Sequence, residues 1–135
     1  MENFMTRSTF LLINAAIGLL FGLGLLFFPQ YFMSTFGPAL SPTATLLARD
    51  IGAFLLGFGL LNGFSSKADY SRSLGAVLAA NLAVQCVTFV LDLRSVLGGV
   101  VDQHGWGPVM QHAVLGFGFA FYWLQARRLA SMQSV

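Results

Sequence analysis

Charged side chains are scarce in this chain of 135 residues: Asp, Glu, Lys and Arg together make up 9% of it. A soluble domain usually carries about 25% charged residues, so the composition argues against a surface covered by water. Seven Lys and Arg against five Asp and Glu give a net charge of only +2. Nucleic-acid binding requires clustered basic residues, so we do not expect a nucleic acid as a partner.

Cysteine is almost absent, and so are the familiar catalytic motifs. The single Cys86 cannot form an intramolecular disulfide, and the chain has no paired-cysteine metal spacing. Because Cys86 lies in the middle of an apolar stretch, we expect it to be a small buried residue. No nucleophile elbow, P-loop or H-E-x-x-H sequence is present, so no such motif indicates a reaction.

Apolar residues fill the chain instead, at 56% of the sequence and a mean hydropathy of +0.75. A helix needs about 20 apolar residues to cross a hydrocarbon core about 30 Å thick. Four stretches meet this requirement, so we predict an all-α protein, an integral membrane four-helix bundle forming a single domain over residues 1–135. The predicted spans are about 8–28, 44–64, 74–97 and 108–126.

The positive charges predict which way the bundle faces. Short loops on the cytoplasmic side of a membrane are enriched in Lys and Arg. Five basic residues flank the spans on the side that holds both termini, and two lie toward the other side: Arg7, Lys67, Arg72, Arg127 and Arg128 against Arg49 and Arg94. Both termini are therefore predicted to be cytoplasmic, and four spans require the termini to share a side.

A polar stripe runs along the third predicted span. Asn81, Gln85, Thr88 and Asp92 are separated by four, three and four residues, which places them on one face of a helix. Thr88 is the weakest member because its hydroxyl can bond back to its own helix. Amide and carboxyl groups facing lipid would have no partner, at a cost of several kcal/mol. We therefore predict that this stripe faces the interior of the bundle.

Ionisable groups of three predicted spans lie at similar depth toward the non-cytoplasmic face. With one amide of the stripe they form a candidate polar layer: Arg49, Asp50, Gln85, Asp92, Arg94 and His112. One interpretation is that ion pairs such as Arg49–Asp92 or Asp50–Arg94 only fix the helix register. The other is that the layer binds the polar head of an amphipathic ligand or relays a proton, since ionisable groups inside a membrane are usually functional.

The chemistry open to this layer is limited. Bis-histidine haem needs two histidines at similar depth, but His104 lies in a Gly-rich loop, so haem is not expected. A zinc site would have to be built from His112, Asp50 and Asp92, with or without His104. This pattern is too unspecific to predict one. A polar head over an apolar slot suits a quinone or a lipid. Two pairs at helical spacing are candidate slot walls, Phe54 with Phe58 and Phe117 with Phe121, although contact with lipid is favoured for them.

Small residues predict where helices pack closely, and this packing suggests a third function, that of a structural subunit. Gly18, Gly22, Gly57 and Gly116 lie on faces that also carry polar residues, which suits close helix packing. The leading hypothesis is an accessory or ligand-binding membrane protein with membrane lipids and a hydrophobic small molecule as partners. The alternatives are a redox or isomerase-type enzyme using His112 with Asp50 or Asp92, and a structural subunit of a homo-oligomer or larger membrane complex.

Three segments resemble a known group of proteins. They are the first span ending GLGLLFFP, the second beginning ARDIGAFLLGFGLLN, and the last containing HAVLGFGFAFYW. In these the chain resembles the small bacterial four-span proteins grouped as DoxX-like, and among them the DUF4345-type proteins. The resemblance implies a four-helix bundle in the bacterial inner membrane and a link to quinone-coupled oxidation or to assembly of redox proteins. It implies no particular catalytic residue.

Overall fold

The computed structural model describes residues 5–34 and 39–132, and all regular structure in these two ranges is helical. Three long helices begin with a hydroxyl cap, in which the side chains of Thr6, Ser41 and Ser71 accept a hydrogen bond from the backbone N–H three residues later. The elements are α1 (Arg7–Phe27), α2 (Pro29–Met33), α3 (Pro42–Ser65), α4 (Arg72–Leu97), a 3₁₀ helix (Gln103–Gly105) and α5 (Trp106–Met132).

The four predicted spans coincide with α1, α3, α4 and α5, and the differences lie at their ends. Pro29 follows α1 as expected, but it also starts the short α2. Pro108 lies in the first turn of α5, where a missing N–H costs nothing. That helix continues past the predicted end at residue 126 to Met132, because the intervening residues contain neither Pro nor Gly.

Three helices, α1, α3 and α4, are long and apolar enough to cross a membrane by length and composition. The remaining long helix, α5, has 27 residues. It is not among the three, and Gln111, His112 and Gln125 lower its mean hydropathy. The membrane-spanning role of this helix therefore stays a prediction.

The chain divides into two compact units, residues 1–67 and 68–135. In the first unit α1 and α3 pack antiparallel with their backbones nearly touching. A β-carbon placed on Gly22 would lie 2.8 Å from the Leu56 backbone nitrogen, and one on Gly59 would lie 2.9 Å from the Leu19 nitrogen. A β-carbon on Gly18 would lie 3.0 Å from the Gly59 Cα. Glycine at these positions allows the two helices to approach this closely.

Short contacts hold α2 and the following loop in the first unit. The Gln30 amide accepts a hydrogen bond from the Leu40 N–H at 3.0 Å and donates to the Leu40 carbonyl and the Thr45 hydroxyl, each at 3.1 Å. The Phe32 ring packs against Gly24 and meets Phe21 edge-on, with ring centroids 5.8 Å apart. These contacts connect α2 to both long helices of the unit.

In the second unit α4 and α5 form an antiparallel pair. Buried apolar residues recur along α5 at helical spacing: Val109, Leu115, Phe119, Tyr122 and Ala126. On α4 the buried residues Leu74, Leu78 and Asn81 also fall on one face. The Tyr70 hydroxyl donates to the Gln125 side chain at 3.0 Å, near the start of α4 and the later part of α5. The unit therefore has its own apolar face along the α4–α5 contact, and this face carries polar residues as well.

Candidate functional site

The polar stripe of α4 meets a histidine of α5. Nδ1 of His112 lies 2.6 Å from Oε1 of Gln85, a short hydrogen bond between the two helices. Nε2 of the same ring lies 3.4 Å from Oδ2 of Asp92, close enough for an ion pair but longer than a good hydrogen bond. Both ring nitrogens of His112 therefore face groups of the stripe.

The hydrogen-bond direction at this pair depends on the Gln85 amide. With its oxygen toward the ring, Nδ1 carries the hydrogen and donates to Gln85. With the amide turned over, its NH₂ group donates to Nδ1 and the ring hydrogen lies on Nε2, facing Asp92. The side chains of His112 and Asp92 are 21% and 35% exposed, so the cluster is only partly shielded. A group that enters from outside can therefore replace one of its hydrogen bonds with a bond to itself.

The other two residues of the stripe bond to their own helix. The Asn81 amide donates to the Val77 carbonyl at 2.9 Å, and the Thr88 hydroxyl donates to the Val84 carbonyl at 2.7 Å. Asn81 is buried. The Thr88 hydroxyl is satisfied within its own helix. Gln85 and Asp92 lie close to His112 of α5.

A groove of about 250 Å³ lies between α4 and α5 next to this pair. Gln85 and His112 are its polar lining, and the rest of the wall is aromatic, aliphatic or small. Ligand sites typically have this character, with a largely apolar wall and a few placed polar groups. The apolar part of the wall is formed by Leu82, Cys86, Phe89, Ala113, Gly116, Phe117 and Ala120.

Cys86 corrects one expectation from the sequence. We expected it to be buried, but it is exposed and lines the groove. It follows Gln85 directly, and a step of one residue turns a helix by 100°, so it lies beside the polar stripe rather than in a packed interior. The helical spacing of Leu82, Cys86 and Phe89 places them along one edge of the stripe, but only the position of α5 makes that edge the wall of a groove.

The candidate polar layer is divided between the two units. Gln85, Asp92 and His112 come together in the second unit, as described, whereas Arg94 is exposed and has no ion-pair partner within 4 Å among that unit's described residues. Arg49 and Asp50 are exposed on α3 in the first unit. Neither has an ion-pair partner within 4 Å among the described residues of that unit. The predicted pairs Arg49–Asp92 and Asp50–Arg94 join residues of different units and stay predictions.

Two of the four glycines predicted to pack helices lie at the α1–α3 contact, Gly18 and Gly22. Gly116 also packs, since a β-carbon there would lie 3.6 Å from the Gln85 Cβ. For Gly57, no described atom lies within 4 Å of the β-carbon position. Two residues turn a helix by 200°, so Gly59 faces α1 while Gly57 faces away from it. Within the first unit, Gly59 takes the packing position that the sequence suggested for Gly57.

The loop histidine has a local role. The Asp102 carboxylate accepts hydrogen bonds from the His104 backbone N–H at 2.9 Å and from its ring Nδ1 at 2.8 Å. The backbone bond, then the side-chain bond, lowers the pKa of Asp102. Among the described residues no group of three or more metal-binding side chains is found.

Lowering the pH should loosen this turn when the Asp102 carboxylate becomes protonated. A carboxyl whose pKa is depressed by folding stabilises the turn above its unfolded pKa and loses that effect as the pH falls through the folded value. We expect the His104 amide resonance, followed by NMR, to report an Asp102 midpoint below the ordinary aspartate range. An Asp102→Asn variant should show no such transition, and a midpoint within the ordinary range would contradict the contact.

Comparison with protein-family models, with curated proteins and with solved structures finds no match to this chain.

Proposed function

We propose that this protein binds an amphipathic small molecule, a quinone or a lipid, in the groove between α4 and α5. The observation that carries the proposal is the Gln85–His112 hydrogen bond of 2.6 Å at an otherwise apolar groove. Two polar side chains at such a wall fix the orientation of a ligand whose remaining surface is apolar. The carbonyl of a quinone or the ester of a lipid offers an acceptor for this pair.

We place this groove in a cell membrane. The apolar helices α1, α3 and α4 support a multi-pass protein, and we infer that α5 is the fourth span of a four-helix bundle. The five-to-two bias of Lys and Arg supports cytoplasmic termini. The resemblance to DoxX-like and DUF4345-type proteins, and with it a bacterial inner membrane, belongs to the same proposal. Membrane lipids are then the solvent from which the ligand enters.

The depth of the polar pair suits such a ligand. Gln85 lies in the middle of α4, thirteen residues after Arg72, where an unpaired amide would be costly in lipid. Its partner His112 removes this cost when the groove is empty. A ligand that offers an oxygen can share the same hydrogens, so binding does not leave either side chain unsatisfied.

A membrane redox or isomerase-type enzyme is the second candidate. It is favoured by the His112 ring nitrogen that lies 3.4 Å from the Asp92 carboxylate, where the negative charge would stabilise a protonated imidazole. The sequence also suggested Asp50 for this role, and that pairing stays a prediction. The two candidates differ in what His112 does, since a binder needs only its hydrogen bonds and an enzyme needs its proton.

The groove can be tested by filling it. Gly116 lines the groove, so a Gly116→Leu side chain should occupy the ligand's place. We expect the wild-type protein, purified in mild detergent, to retain a quinone or lipid detectable by mass spectrometry, and the variant to lose it. Decylubiquinone should slow N-ethylmaleimide labelling of the exposed Cys86 in the wild type and have no effect in the variant.

Gly57→Leu is the matched control, because it adds the same side chain at an α3 position with no described atom nearby. It should retain the molecule and the protection of Cys86. Equal retention in Gly116→Leu and in the wild type, together with unprotected Cys86, would reject this groove as the binding site. Circular dichroism of both variants shows whether their helices are intact.

A further inference from the structure

A second groove lies at the opposite end of the α4–α5 pair. It has a volume of about 370 Å³ and is formed where α4 begins and α5 approaches its end. Arg72 comes from the first turn of α4, and Arg127 and Trp123 come from α5. None of these residues belongs to the groove that contains Gln85 and His112.

The two arginines give this groove a strong positive charge. Both are exposed, and neither has an ion-pair partner within 4 Å among the described residues of the second unit. The Arg127 guanidinium lies over the Trp123 ring, 5.0 Å from its centroid. This contact holds the guanidinium by a cation–π interaction and leaves its N–H groups available to an anion.

Apart from Ser71, the remaining wall is small and apolar. Gly75, Ala76 and Ala79 line the α4 side, and Ala126 lies on the α5 side. No described atom lies within 4 Å of the position that a Gly75 β-carbon would occupy, so this side is open. The groove therefore combines two guanidinium groups, an indole and an apolar wall. Each of these surfaces matches a different part of a phospholipid. The phosphate meets the arginines, the interfacial region meets Trp123, and an acyl chain runs along the small residues.

We propose that this groove is a binding site for the head group of an anionic phospholipid. The proposal rests on the membrane placement argued above, which puts Arg72 and Arg127 on the cytoplasmic side, where anionic lipids attract basic residues. Charge complementarity selects an anionic lipid over a zwitterionic one. The apolar wall selects a lipid over a free phosphate, which would leave that wall uncovered.

Native mass spectrometry of the detergent-solubilised full chain tests the site, with phosphatidylglycerol and phosphatidylcholine of identical acyl chains as probes. We expect the wild type to bind phosphatidylglycerol more tightly. Arg72→Gln and Arg127→Gln should each weaken that binding by about fivefold. Lys67→Gln removes an exposed charge from the same predicted side of the membrane and should leave the affinity unchanged.

Three results would overturn the proposal: equal affinity for both lipids, equal loss in Lys67→Gln, or displacement of the bound lipid by millimolar glycerol phosphate. The last result would identify a site for a soluble phosphate. Membrane insertion is checked separately by carbonate extraction of the full chain from membranes. A chain released by carbonate would refute the membrane placement, whereas an inserted chain without lipid preference would refute only this site.

Discussion

Gly22→Ala and Gly59→Ala should each lower the free energy of unfolding of the first unit by about 1–3 kcal/mol, the usual cost of overpacking. The reason is that both new methyl groups would meet backbone, at 2.8 Å from the Leu56 nitrogen and 2.9 Å from the Leu19 nitrogen. A side chain could rotate away, but the backbone of a helix cannot move without the helix moving. The helices must separate, and close packing is the main source of association between helices in lipid.

Thermal unfolding followed by circular dichroism in one detergent measures this effect. Gly57→Ala is the control, because its methyl group meets no described atom within 4 Å and alanine favours a helix over glycine by about 0.5–1 kcal/mol. The control should therefore unfold at the wild-type temperature or slightly above it. If Gly22→Ala were as stable as Gly57→Ala, α1 and α3 would not lie as close as described.

Replacing both Gln85 and His112 by leucine should give a protein that is more stable than either single replacement. His112→Leu leaves the Gln85 amide without its partner in an apolar setting, and Gln85→Leu does the same to the imidazole. An unpaired polar group of this kind costs about 1–3 kcal/mol. The double variant removes both groups together, so its loss of stability should be smaller than that of either single variant.

The same three variants separate a structural role from a binding role. If the pair only joins α4 to α5, the double variant recovers stability and keeps any molecule that the groove retains. If the pair orients a ligand, stability returns but the retained quinone or lipid is lost. Unfolding temperature and retained ligand, measured on one preparation of each variant, give both answers. Additive losses of stability would show that Gln85 and His112 do not interact.

Several residues show how far the sequence predicts the candidate site. The spacing of Gln85 and Asp92 placed both on one helix face, and His112 was the only histidine within a predicted span. The Thr88 hydroxyl bonds to its own helix, at the Val84 carbonyl, as the sequence suggested. In each of these cases a local rule of helix geometry was sufficient.

The sequence was less informative about which neighbour each face meets. It suggested Gly57 for close packing, but Gly59 faces α1, because both glycines look equivalent until the partner helix is in place. It suggested a buried Cys86, but this residue is exposed beside the groove. An apolar residue in a span is compatible with a packed interior, a groove or lipid. Only the position of the second helix distinguishes these surroundings.

The amino-acid sequence by itself determined the helices, three of which are apolar enough to cross a membrane, and the polar stripe on α4. These follow from chain-local properties: hydropathy, helical periodicity, proline and hydroxyl caps. The tertiary structure alone decided that His112 takes Gln85 as its short hydrogen-bond partner, that a groove opens beside them, and that Arg72 and Arg127 share a second groove. These depend on the rotation and offset of α5 against α4, which side-chain packing sets and no single helix encodes.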